Sequence, residues 1–302
     1  MITFPARQLL IFQILLLVSD VGATEHHARF DLTDTTVDTA TGTSRQGGNT
    51  RDNMFFAKAA ERRRRGCDHS ASAQYRKMRQ RWQKEPRVRK PQWRNGYRDL
   101  TLYAVNLGIR VRVFPFLPDG TFDPEAVAEI ERAFADKHTE ETVSIHPRLI
   151  KLLYKLAVHF EAKQINLVSG YRVEAAGTES HHGDGTASDI MIPGVKLPAL
   201  AKVARRLGHV GVGYYPVSGF VHLDVREKAS YFWVDPSGPG KRSCIRRIMP
   251  ASGPKFDRRW SMADDEPVQQ LDRNGTPLGA IEESTELAQA PQSVESQKTT
   301  KN

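Results

Sequence analysis

The most constraining stretch of the chain is Ser218-Gly219-Phe220-Val221-His222-Leu223-Asp224-Val225-Arg226. Val221, Leu223 and Val225 alternate with His222, Asp224 and Arg226. Apolar residues recurring at every second position mark a strand with one buried face. Residues two apart in a strand point the same way. A core packed against the valines and the leucine therefore lines a cleft with His222, Asp224 and Arg226 together.

A second stretch supplies complementary chemistry: Ser180-His181-His182-Gly183-Asp184-Gly185-Thr186-Ala187-Ser188-Asp189. Gly183 and Gly185 weaken any helix here. The stretch reads as a loop delivering His182, followed by a strand Asp189-Ile190-Met191-Ile192 that Pro193-Gly194 stops. His182, Asp189 and His222 make two imidazoles and one carboxylate, a set that leaves Zn2+ one open position. An open position on a protein zinc usually means metal-activated water and hydrolysis. A lone histidine in an apolar strand is ordinarily structural. The metal reading rests on the coincidence of two His/Asp pairs in one chain.

The pattern Ser180, His182, Gly185, Ala187 and Asp189, followed by Gly219-Phe220-Val221-His222-Leu223-Asp224, resembles the zinc D-alanyl-D-alanine peptidase family. That family includes VanX-type dipeptidases and murein endopeptidases, and the likeness is nearest to its murein endopeptidase K-like branch. Val168-Ser169-Gly170-Tyr171-Arg172 and Gly211-Val212-Gly213-Tyr214-Tyr215-Pro216 add to it, so that it spans roughly Tyr97 to Val234 with all motifs in order. The resemblance implies an α+β fold, a small mainly antiparallel sheet with packed helices, shared with the signalling domain of hedgehog proteins. It also implies a zinc peptidase acting on peptidoglycan peptides, with Arg172 stabilising the tetrahedral oxyanion. VanX-like members carry a glutamate base three residues before the last histidine ligand, where this chain has Gly219. Some murein endopeptidases use a histidine two before it, where this chain has Phe220. Asp224, on the same strand face as His222, stands as the proton acceptor or, alternatively, as the group orienting an imidazole or pairing with Arg226. His181, His209 and Glu179 are outlying candidates for the base. The missing glutamate keeps open a zinc-containing envelope-binding module without turnover.

The chain has 302 residues, 39% hydrophobic content and a net charge of +9. So low an apolar share suggests that much of the length lies outside a packed core. Residues 1–23 read as a secretory signal: Arg7, an apolar run from Leu9 to Val18, and a small-residue Val21-Gly22-Ala23 site. The run is short of the about 20 apolar residues a bilayer span needs, so no transmembrane span is expected once the signal is removed. The expected location is the periplasm or cell envelope. In an oxidising compartment Cys67 and Cys244 either pair or remain two thiols. Their separation excludes a Cys-x-x-Cys site.

Residues 24–96 read as a disordered start passing into a basic linker, with Arg62-Arg63-Arg64-Arg65 and interleaved Trp82 and Trp93. Such charge suits attraction to an anionic envelope surface; an exported chain gives no reason to expect nucleic acid. Residues 97–234 form the expected domain. In it are a hairpin around Asn106-Leu107-Gly108, a helix from Asp123-Pro124 to about Lys137, and a second from His146-Pro147 to about Glu161. A strand at Gln164–Ser169, a helix at Leu197–Leu207 and a strand at Val210–Tyr215 follow. Residues 235–302 read as a basic stretch and then a low-complexity disordered tail.

Overall fold

Helix signals and alternation are realised closely where they are strongest. In this computed structural model, which describes residues 67–173, 180–247 and 253–280, the first element is the helix Ala73–Gln83 (α1). The expected signal at 1–23, the Arg62–Arg65 run, Glu179 and residues 281–302 lie outside the described residues. Ser72 caps α1, its hydroxyl accepting from the Tyr75 N–H, which satisfies one of the orphan donors of the first turn. Trp93–Arg94 (β1) pairs with Tyr97–Arg98 (β2), and Leu100–Ala104 (β3) with Ile109–Val113 (β4).

Asp123 caps Pro124–Phe134 (α2), accepting from the N–H groups of Glu125 and Ala126. The helix stops short of Lys137. Ala135 turns extended, and the Asp136 carboxylate takes the N–H groups of His138 and Thr139 in a competing local turn. Pro147–His159 (α3) follows, with Leu149, Leu152, Leu153 and Leu156 fully buried. Ile165–Ser169 (β5), Ala187–Met191 (β6), Leu197–Ala204 (α4), Val210–Tyr215 (β7), Phe220–Val225 (β8), Tyr231–Val234 (β9), Arg246–Arg247 (β10) and Gly253–Arg259 (α5) complete the order.

Eight strands form one sheet in the order β10-β9-β7-β8-β6-β5-β3-β4. Every junction is antiparallel except β3–β5 and β7–β9. This is the expected α+β class with a mainly antiparallel sheet. Val221 and Leu223 of β8, Ile190 of β6, Val212 of β7 and Phe232 of β9 join Ile130, Phe134, Leu149 and Leu200 of α2, α3 and α4 in one core. The residues between them in each strand face the other way, and there the site is built.

Two parts of the chain read as linker and tail are ordered onto this domain. The β1–β2 turn is bracketed by the segment after α5: the Gly96 N–H donates to the Leu278 carbonyl and the Gln270 N–H to the Gly96 carbonyl, both at 2.8 Å. Arg148 of α3 meets Asp265 at 2.5 Å, nearly out of solvent, and the Trp260 indole N–H donates to the same carboxylate. Cys67 and Cys244 are joined as a disulfide. These segments are held by backbone pairing, a buried ion pair and a cross-link rather than by a hydrophobic stripe.

Candidate metal centre and its surroundings

Register brings the candidate ligands together. Asp189 of β6 lies directly opposite His222 of β8, and cross-strand partners have side chains close enough to interact. His182 arrives from the loop before β6. His222 Nδ1 is 2.9 Å from Asp189 Oδ1 and 3.2 Å from His182 Nε2, while His182 Nε2 is 3.4 Å from Asp189 Oδ1. All three residues are buried, and one ligand atom from each lies within 4.8 Å of the others.

Each imidazole is oriented by its other nitrogen. His182 Nδ1 donates to the Gly170 carbonyl at 2.6 Å. A carbonyl only accepts, so the proton sits on Nδ1 and Nε2 turns a lone pair toward the cluster. His222 Nε2 meets Asp224 Oδ2 at 3.1 Å, which leaves Nδ1 for the cluster. Two inward-facing imidazole nitrogens beside a carboxylate are a donor set for a divalent cation, and zinc accepts this mixture of nitrogen and oxygen ligands. The electrostatics agree. Burial alone would lower His222, but Asp189 and Asp224 on its two sides outweigh it and hold the ring up to about 9. Asp189 falls far below the usual carboxylate range: burial opposes this, and the two imidazoles overcome it. The Asp189 and Asp224 carboxylates thus flank the His222 ring and favour positive charge there.

Asp224 shares the His222 face, as the alternation requires. Its carboxylate is fully buried. It ion-pairs with Arg226 Nε at 2.7 Å, accepts the Gly211 N–H at 3.1 Å, and meets the ring nitrogen of His222 that points away from the cluster. This placement suits the alternative in which Asp224 orients the imidazole and pairs with Arg226. Among the outlying candidates, His181 faces the Thr186 hydroxyl, and His209 faces the Lys228 carbonyl and packs on Trp260.

Arg172 follows β5 and the Gly170-Tyr171 turn. Its N–H donates to the His182 carbonyl at 3.4 Å, and its exposed side chain lines a cavity of about 410 Å³ together with Gly170, Tyr171, Ser218 and Phe220. That cavity therefore opens beside the turn that orients His182.

Two glycines of the Gly211-Val212-Gly213 motif in β7 stand where other groups approach closely. A Cβ on Gly211 would sit 2.0 Å from Asp224 Oδ2, and one on Gly213 would sit 2.4 Å from the Trp233 indole. Gly213 is the cross-strand partner of both His222 and Trp233, and the indole lies 5.1 Å from the His222 ring. Glycine within a strand marks close approach of another group; that was the available signal.

A mixed sheet carrying a buried His/Asp/His cluster fits the metallopeptidase class of hydrolases. Residues 93–230 match the family described as peptidoglycan L,D-endopeptidase MepK, and the chain belongs to that family. The peptidoglycan L,D-endopeptidase MepK of Escherichia coli (strain K12) is 32% identical over 139 residues, covering 42% of this chain and 76% of the relative; the Shigella flexneri protein of that name has the same figures. The probable peptidoglycan L,D-endopeptidase MepK of Haemophilus influenzae is 29% identical over 140 residues, covering 42% of this chain and 75% of the relative. No solved structure matches the chain. Among the described residues, no helix is long and apolar enough to cross a membrane.

Proposed function

We propose that this chain is an exported zinc-dependent peptidase that cleaves peptide bonds in peptidoglycan. The observation that carries the reading is the convergence of His182 Nε2, Asp189 and His222 Nδ1, each imidazole fixed through its opposite nitrogen. The relatives' printed activity supplies the substrate class. Export is supported by the signal-like residues 1–23 and by the Cys67–Cys244 disulfide, since such bonds persist in oxidising compartments.

His182, Asp189 and His222 would hold the ion. Zinc bound there supplies a Lewis acid and activates water near neutral pH. The chain's own residues do the rest. Gly170 keeps the lone pair of His182 aimed inward, and Asp224, itself clamped by Arg226 and the Gly211 N–H, does the same for His222. Such supporting partners typically carry a substantial share of metal affinity. Arg172, at the cavity beside this cluster, offers guanidinium donors to the oxyanion that develops as the peptide carbonyl is attacked. Asp224 is thus a positioning residue. The basic residues before the domain suit an anionic wall surface.

The test is digestion of purified murein sacculi by the full chain. Cross-linked muropeptides should disappear, a chelator should stop the reaction and zinc restore it, and His182→Ala should lose both zinc and activity. Unchanged cross-linking with zinc-loaded protein overturns the reading; zinc retained without turnover points to the binding-module alternative.

A further inference from the structure

The family match begins at residue 93, yet the cavity beside the cluster is walled by residues that precede it. Tyr75, Met78 and Trp82 of α1 line it. Their spacing, three and then four residues, puts them on one helical face. Charge dominates the remainder of α1, so this face is its apolar side.

The helix is fastened over the cleft at both ends. The Tyr75 hydroxyl donates to the Ser218 carbonyl at 2.9 Å, and Arg79 Nη1 donates to the Val217 carbonyl at 2.6 Å, both in the turn between β7 and β8. The Trp82 carbonyl accepts from the Asn166 amide of β5 at 3.0 Å. The chain leading into α1 is tied to the loop after β9. The Gly238 N–H donates to the Asp68 carbonyl, Lys241 pairs with the Asp68 carboxylate at 2.9 Å, and Cys67 is bonded to Cys244. Gly238 and Lys241 of this loop also line the cavity.

Among the described residues, the charged side chains that line the cavity are Lys137, Arg172 and Lys241. Lys241 is engaged with Asp68; Lys137 and Arg172 set the preference.

We propose that the segment 67–83, stapled to the 237–241 loop by the Cys67–Cys244 bond, is the second wall of the substrate cleft, seating an anionic peptide against Tyr75, Met78 and Trp82 with its carboxylate toward Arg172 and Lys137. This rests on the peptidase reading for the chemistry that follows binding, but the binding is separable. Aromatic anchors in such walls commonly dominate recognition. A peptide pressed between α1 and the Gly170–Arg172 turn also loses less freedom than one on an open face, because the wall is preformed.

The experiment is calorimetric titration of the chelator-treated full chain with a soluble cross-linked muropeptide, alongside steady-state cleavage by the zinc-loaded chain. Trp82→Ala should weaken binding about tenfold or more, equivalent to about 1.4 kcal/mol, and raise KM by a similar factor. Cys67→Ser/Cys244→Ser should raise KM with zinc content unchanged. A muropeptide with amidated carboxylates should bind more weakly. Trp82→Phe and Tyr75→Phe, which keep the rings, guard against a variant that fails to fold: circular dichroism checks the fold, and Trp82→Phe should retain most of the affinity. Binding and KM within twofold of the parent in both Trp82→Ala and the serine pair overturn the proposal while leaving the peptidase reading intact. Wall-dependent binding without cleavage overturns the peptidase reading and upholds the wall. A parent chain that neither binds nor cleaves overturns both.

Discussion

Asp224 Oδ2 lies 3.1 Å from Nε2 of His222, the ring nitrogen that faces away from Asp189 and His182. A carboxylate so placed orients the imidazole and raises its basicity, and its own position is set by Arg226 and the Gly211 N–H.

Asp224→Ala should lower metal affinity, by about 10–100-fold on the scale seen for such supporting partners. Competition with a chromogenic chelator measures this directly. Turnover should fall in parallel and recover in part at high zinc. Full metal retention with turnover abolished would return Asp224 to the role of proton acceptor.

Gly211→Ala puts a methyl group where Asp224 Oδ2 lies, 2.0 Å away. Either β7 or the carboxylate must move. Overpacking of this kind costs about 1–3 kcal/mol, readable as a lower midpoint in urea unfolding. The displaced carboxylate should also loosen His222, so zinc affinity should fall along with stability. Gly275→Ala is the control for substitution as such: nothing lies within 4 Å of a Cβ there, and its positive φ costs backbone strain away from the cavity.

Asp257 predicts an acid limb of stability. Burial raises its carboxyl, but hydrogen bonds from the Ser230 hydroxyl and N–H and from the His209 N–H outweigh that and hold it below 3.8. The unfolded chain then binds the proton more readily. Its contribution is complete above pH 3.8 and is lost as pH falls through the lower folded value. The unfolding free energies of the parent and Asp257→Asn should differ by a constant amount near neutrality and converge below about pH 3.8. A gap independent of pH down to pH 2 refutes the linkage.

Much of the architecture is legible from local pattern. Val221, Leu223 and Val225 announce β8, the Asp123-Pro124 pair announces the start of α2, and Asn106-Leu107-Gly108 announces the β3–β4 turn. Each signal is carried by residues within a few positions of one another, so periodicity and capping suffice to read it. Boundaries drift where a side chain competes for backbone donors, as Asp136 does beyond Phe134. The contacts of the segments 67–96 and 253–280 are not legible from composition because their partners are distant: Cys244 for Cys67, Arg148 for Asp265, Leu278 for Gly96.

The spacing of His182, Asp189 and His222 and the strand alternation at 221–225 are properties of the chain alone. They are enough to name a three-ligand set and the face on which His222 stands. Which imidazole nitrogen turns inward, and on which side of His222 Asp224 falls, depends on the β6–β8–β7 register and on the Gly170 carbonyl. Helix α1 comes to wall the cleft only because the folded sheet brings β5, the β7–β8 turn and the loop after β9 to one place. Local pattern encodes which side chains are buried; the contacts among residues tens to hundreds of positions apart exist only once the sheet has closed its register.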